Sequence, residues 1–275
     1  MSTARVRRSA YTDLDDLRLH FLEWGKRDAG PLVLLHGAGT LATAHVWDAF
    51  ATAMQGTHRV IAPDQRGFGS SDHAHAYSFE LMASDLEQFV ERLELDAFSL
   101  VGHSMGGTVA AIYAERRPAG LRRLVLEDTV PPREGLRLEG QPGAPWEFAD
   151  MYELFAAARQ NGIRGTDDEL RERFEPAVRR LDGGRVTFRA DRAVLPAIRA
   201  QLAEPDPAWF RDLAKIGVPT LVVRGATSGA LSAEALAAAA AIIPDCRTVE
   251  VANAGHVVHD DNPADFLAAV RAFLA

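Results

Sequence analysis

With 275 residues, 47% of them hydrophobic, the chain can bury one large α/β core with an insertion and does not require two independent domains. A net charge of −8 and a pI near 5.6 argue against a nucleic-acid partner, and no stretch of 18 apolar residues is available to span a membrane. Arg5, Arg7 and Arg8 lead into Asp13, Asp15 and Asp16 rather than an apolar run, so no signal peptide is expected, and the single Cys246 reads as a small buried hydrophobe in a reducing cytoplasm.

Residues 3 to 24 read as two strands joined by the acidic turn Asp13 to Asp16, an antiparallel hairpin at a sheet edge. Leu32 to Leu35 is a continuous apolar run, as in a strand buried on both faces, and it stops at His36-Gly37-Ala38-Gly39. Helical spacing covers His45 to Met54, and Val60-Ile61-Ala62 forms another short strand that runs into the loop Pro63 to Asp72. Asp64, Arg66 and Asp72 in that loop are expected to hold strand ends together by charge and hydrogen bonds rather than to catalyse. A helix over Ser78 to Leu93 then precedes Leu100-Val101-Gly102-His103-Ser104-Met105-Gly106-Gly107, which passes straight into an alanine-rich helix.

That stretch is the chemical centre of the chain. A serine at the apex of a sharp strand-to-helix turn crowds residues two positions away, and glycine on either side relieves the clash while the hydroxyl faces outward as a nucleophile. Beyond it, Leu124-Val125-Leu126 ends at Glu127-Asp128, and the strand–helix alternation so far is that of a parallel sheet. From 131 to 212 the alternation breaks down. The segment holds no convincing buried strand but has amphipathic helical pieces such as Glu147 to Gln160 and Asp167 to Leu181, so it is expected to be a helical cap. The sheet pattern resumes with Thr220 to Val223, a helix over Ser232 to Ile243, a strand near Thr248 to Val251 and a last helix from Pro263 to Leu274. The expected organisation is thus a core of 1–130 and 213–275 with a cap, 131–212, inserted after the sixth strand.

His36-Gly37-Ala38-Gly39, Asp64-Gln65-Arg66-Gly67-Phe68-Gly69-Ser70-Ser71, Gly102-His103-Ser104-Met105-Gly106-Gly107 and Asn253-Ala254-Gly255-His256 together resemble the α/β-hydrolase superfamily, in its branch of small capped esterases, lactonases and carbon–carbon bond hydrolases. The resemblance covers nearly the whole chain outside the cap. It implies a mostly parallel twisted sheet with helices on both faces, Ser104 as nucleophile, His256 as base, and an oxyanion hole of the Ala38 and Met105 backbone N–H groups beside Gly37. It implies no cofactor. His36 and His103 are expected to be structural or pocket-shaping, and His259 a helix-start residue rather than a second base. The cap aromatics Trp146, Tyr152 and Phe188 are expected to line a site for a mostly hydrophobic small-molecule substrate. No metal-ligand cluster or dinucleotide fingerprint is visible. A second copy of this chain, giving a homodimer, is the one macromolecular partner left open.

The chain departs from the family at the acid. Relatives mostly carry it after the strand matching Leu221-Val222-Val223, in a Gly-x-x-Ser-Asp pattern, whereas this loop reads Gly225-Ala226-Thr227-Ser228-Gly229. Three readings stay open at this point. In the first, Asp128, with Glu127 beside it, supplies the carboxylate from the end of the strand before the cap. In the second, a carbonyl or water orients His256 in a Ser–His dyad. In the third, the site is degenerate and the protein binds or senses a ligand. A carbon–carbon bond hydrolase and a cofactor-free oxygenase are further alternatives to an ester or lactone hydrolase.

Overall fold

In the computed structural model, residues 7–132, 145–160 and 163–275 are described. Arg5 and the start of the first expected strand lie outside the described residues, as does the cap stretch 133–144. The acidic turn does close a hairpin: β1 (Arg7–Asp13) pairs antiparallel with β2 (Arg18–Trp24), Arg7 opposite Trp24 and Asp13 opposite Arg18. β3 (Gly30–Leu35) follows, then a 3₁₀ turn (Ala44–Trp47), α1 (Asp48–Met54), β4 (His58–Pro63) and α2 (Phe79–Arg92), whose cap Ser78 accepts the Leu81 N–H. β5 (Phe98–His103) leads into α3 (Met105–Glu115), and β6 (Leu121–Glu127) ends the first half of the sheet.

After the cap come β10 (Thr220–Gly225), α8 (Ala233–Ile242), β11 (Cys246–Val251), the single turn α9 (Val258–Asp261) and α10 (Pro263–Leu274). The eight-stranded sheet has the order β1-β2-β4-β3-β5-β6-β10-β11, antiparallel at the β1-β2-β4 end and parallel elsewhere. Side chains alternate across it, which explains why the central strands read as unbroken apolar runs. Val33, Leu35, Leu124 and Leu126 enter one apolar layer, and Leu32, Leu34 and Val125 enter the other. Cys246 corrects its expectation: at the start of an edge strand it is only half-buried, with its thiol pushed up by burial and by Asp245.

The cap differs from the expected all-helical insert. It contains β7 (Glu147–Phe148), α4 (Met151–Gln160), α5 (Asp167–Phe174), β8 (Val178–Arg180), β9 (Val186–Phe188), α6 (Val194–Ala203) and α7 (Pro207–Asp212), with the short strands in antiparallel order β7-β9-β8. α4 starts late because Asp150 Oδ1 accepts the N–H groups of Tyr152 and Glu153. α5 stops at Phe174, two residues before Pro176, which cannot donate to a continuing helix. Phe148, Phe155, Phe174 and Phe188 form a separate apolar cluster, whereas Val194, Ile198, Trp209 and Phe210 join the main layer of the sheet domain. Tyr77 donates to Asp191 Oδ2 at 2.6 Å and the Asp191 N–H donates to Gly67 O at 2.7 Å, fastening this second half of the cap to the loop after β4.

That loop is held as its charges suggested. Asp64 is buried and accepts from the Ala44 N–H at 2.6 Å, the Ser70 N–H at 2.8 Å and His20 Nδ1 at 2.8 Å, and these donors outweigh burial and hold its carboxyl below the usual range. Asp72 accepts the Arg18 N–H, and Arg66 makes a two-pronged pair with Asp85, both bonds 2.5 Å. Removing one member of such a buried pair strands the other charge. Asp85→Ala is therefore expected to lower unfolding free energy by roughly 3–5 kcal/mol, read from urea melts; a loss below about 1 kcal/mol would contradict the assignment.

Candidate active site

The turn carrying Ser104 has the strain its sequence implies. Ser104 takes φ 52° and ψ −118° between β5 and α3. A Cβ on Gly102 would lie 2.4 Å from Gly106 O, and one on Gly106 would lie 2.5 Å from Leu35 O, so both positions exclude any side chain. The Ser104 N–H donates to Glu127 O at 3.1 Å, tying the turn to the end of β6.

The next residue, Asp128, is 1% exposed and also left-handed, with φ 49°. Its Oδ1 accepts the Gly225 N–H at 3.0 Å, and its Oδ2 accepts both the Ser228 hydroxyl and His256 Nδ1, the latter at 2.8 Å. The other ring nitrogen of His256, Nε2, lies 2.9 Å from Ser104 Oγ. An ionised carboxylate can only accept, so Nδ1 carries the proton and Nε2 is left to accept from the serine hydroxyl. The geometry therefore brings Ser104, His256 and Asp128 into one chain of hydrogen bonds. Glu127 is committed elsewhere, 2.8 and 2.9 Å from His259 Nδ1, and His256 needs neither a carbonyl nor water at Nδ1.

His36 and His103 brace this chain. Buried His36 accepts the Gln65 N–H at Nε2 and donates from Nδ1 to Gly37 O at 2.8 Å, while Gln65 Nε2 donates to His36 O at 2.7 Å. Burial holds His36 below its ordinary value, against the raising effects of the Gly37 bond and Asp64. These bonds fix the turn carrying Gly37 and Ala38. A Cβ on Gly37 would meet His103 Nδ1 at 2.7 Å and Ser104 Cβ at 3.2 Å, which places this turn against Ser104. Among the described residues no protein acceptor takes the N–H of Ala38 or of Met105. His103 Nε2 donates to His256 O at 2.9 Å, and burial depresses its pKa to about 4.

The substrate-facing expectations divide. Trp146 packs edge-to-face on Phe188 at 5.8 Å, touching both the cap cluster and the main apolar layer, and Leu41 beyond the Gly39 turn also packs against the cap cluster. Tyr152 is a correction: it is 59% exposed, with the Arg171 guanidinium 5.7 Å over its ring, and no described contact joins it to Ser104. Ser228 is the residue that sequence reasoning overlooked, although it is the serine of the incomplete Gly-x-x-Ser-Asp pattern. Gly229 beside it has open space around a hypothetical Cβ and no positive φ, so its lack of a side chain has no steric cause. Among the described residues no group of His, Cys, Asp and Glu is arranged to hold a metal ion.

Comparisons with known proteins agree with this fold. A family model described as alpha/beta hydrolase fold matches residues 30–263. The chain is 30% identical to 2-(acetamidomethylene)succinate hydrolase of Mesorhizobium japonicum over 97% of its own length and 95% of that protein. It is also 30% identical to an sn-1-specific diacylglycerol lipase of Mus musculus, over 89% of its length and 80% of the lipase. A crystal structure of E-2-(acetamidomethylene)succinate hydrolase superposes with a TM-score of 0.81 at 26% identity, covering 98% of this chain and 99% of the other.

His103 offers a test of the site's electrostatics. Its folded pKa of about 4 lies below the usual 6.5, so between those values the unfolded chain binds a proton that the native ring refuses. Its contribution to stability is complete above pH 6.5 and is lost as pH falls toward 4. Urea midpoints of His103→Gln should therefore fall less steeply than the parent's over that interval, and parallel curves would contradict a buried neutral ring.

Proposed function

The chain belongs to the alpha/beta hydrolase fold family, whose relatives here are hydrolases, and from that premise we propose that it hydrolyses an ester or lactone bond in a mostly apolar small molecule. The observation that carries the reading is the chain Asp128 Oδ2, His256 Nδ1, His256 Nε2, Ser104 Oγ, at 2.8 and 2.9 Å. His256 takes the Ser104 proton as Oγ attacks the carbonyl carbon, and the imidazolium that forms is stabilised by Asp128. Negative charge develops on the carbonyl oxygen at the N–H groups of Ala38 and Met105. Met105 opens the 11-residue α3, so the positive end of its dipole adds to that stabilisation. His256 then protonates the leaving alkoxide, and a water activated by the same ring releases the acyl group.

The apolar substrate class is supported by Trp146, which packs against both the cap cluster and the main apolar layer, by Phe188 against which it stands, and by the name of the mouse relative, a diacylglycerol lipase. The ligand-sensor reading took its force from glycine at 229, and the bond from His256 to Asp128 weighs against it. A cofactor-free oxygenase would use that same His256–Asp128 pair, and oxygen uptake with an aromatic heterocycle in place of ester turnover would assign that reading.

On a panel of p-nitrophenyl esters and lactones, Ser104→Ala should abolish turnover, and Asp128→Asn should reduce kcat by roughly 10³- to 10⁴-fold with the fold intact. Gly229→Asp should change the parent little. Equal turnover by the parent and Ser104→Ala would refute the serine mechanism, and a gain of orders of magnitude in Gly229→Asp would move the working acid from 128 to 229. Turnover of β-diketone-like compounds alone would instead assign carbon–carbon bond cleavage.

A further inference from the structure

Two neighbouring carboxylates at the end of β6 each hold a histidine of the segment after β11, His256 in its loop and His259 in α9. Asp128 holds His256, and Glu127, with 0% exposure, accepts the backbone N–H of His259 at 2.8 Å and its Nδ1 at 2.8 and 2.9 Å. Glu127 lies on the same strand face as Val125, in the layer that contains Trp47 and Phe266. The His259 ring stacks on Trp47 at 4.3 Å and stands edge-on to His103 at 5.3 Å. Burial pushes Glu127 up and His259 down, yet mutual attraction and the bonds between them win in both cases, holding Glu127 low and His259 high.

A pair buried this deeply is poor value as a stability device. The desolvation of two charges offsets most of their attraction, and apolar residues of similar volume commonly serve as well or better. What an apolar pair cannot supply is direction. Glu127 grips His259 by both backbone and ring, three residues beyond His256, while its own carbonyl receives the Ser104 N–H at 3.1 Å. One residue therefore ties the nucleophile's turn to the base's loop, beside the residue that binds the base. The other backbone ties on this segment are neutral or single: His103 Nε2 to His256 O, the Thr227 N–H and hydroxyl to Ala254 O, Asn262 Nδ2 to Ala252 O, and the Gly255 N–H to the exposed Asp261.

We propose that the Glu127–His259 pair is a positioning clamp that sets the register of the 252–259 segment against β6, so that His256 reaches Asp128 and Ser104 at once. The proposal rests on Ser104, His256 and Asp128 being the catalytic group. Displacement of the base by an ångström would cost on the order of 10²-fold in rate without weakening substrate binding.

The test compares the parent with Glu127→Gln and with the double variant Glu127→Leu/His259→Leu, which replaces the pair by apolar groups. Three quantities are read: the urea midpoint, kcat and KM on the best substrate of the panel, and the low-field proton resonance of His256 Nδ1, assigned by its loss in His256→Gln. At least one variant should be folded, with KM close to the parent's, kcat lower by roughly 10- to 100-fold, and the Nδ1 resonance weakened or lost. A folded variant with parental kcat or a parental resonance would overturn the clamp, and failure of both variants to fold would overturn it by making the pair a stability element. The resonance is independent of turnover, so a catalytic reading refuted by an active Ser104→Ala leaves the clamp still decided by this arm.

Discussion

The site depends on where β6 ends. β6 lies between β5 and β10 in the sheet, so a side chain leaving its carboxyl end can reach the nucleophile's turn on one side and the loop after β10 on the other. At φ 49° Asp128 turns out of the strand's alternation, and its carboxylate collects the Gly225 N–H, the Ser228 hydroxyl and His256 Nδ1. At the end of β10, where the family resemblance implies an acid, this chain offers two donors, the Gly225 N–H and the Ser228 hydroxyl, which hold the acid supplied from the end of β6. All three donors converge on one buried carboxylate, which fixes the ring it holds.

The histidines around that carboxylate are separated by environment. His36 and His103 are buried with burial as the largest influence, are depressed, and serve as neutral hydrogen-bonding struts. His259 is equally buried but faces Glu127, and is raised. His256, with a side chain 40% exposed, is the one ring bonded to both a carboxylate and the nucleophile. Neutral rings at 36 and 103 keep added positive charge away from the site where His256 must gain a proton, which is how several histidines can crowd one site without competing for one role.

Much of this was legible in the residues. The unbroken apolar strands, the glycine-bracketed Ser104 and the Gly255-His256 turn depend on local sterics and burial, which leave a mark within a few residues. The acid was legible as Asp128 at the end of the strand before the cap, but with Glu127 beside it; strand alternation and the left-handed backbone at 128 assign one carboxylate to each histidine. The cap's strands of two or three residues are too short to show a period of two, so Glu147 and Phe148 blended into the helical pattern that follows them. Tyr152 misled for a related reason: helical spacing identifies a face, but not whether that face meets the core or, as here, Arg171 and solvent.

The central claim is that Asp128 makes His256 a competent base for Ser104. The most direct measurement is the rate at which an uncharged fluorophosphonate labels the protein, followed by intact mass and mapped to the modified residue in the parent and in Asp128→Asn. The account requires one adduct, on Ser104, with labelling of the Asn variant slowed by orders of magnitude. Labelling of that variant at the parent's rate, or an adduct on another residue, would contradict it.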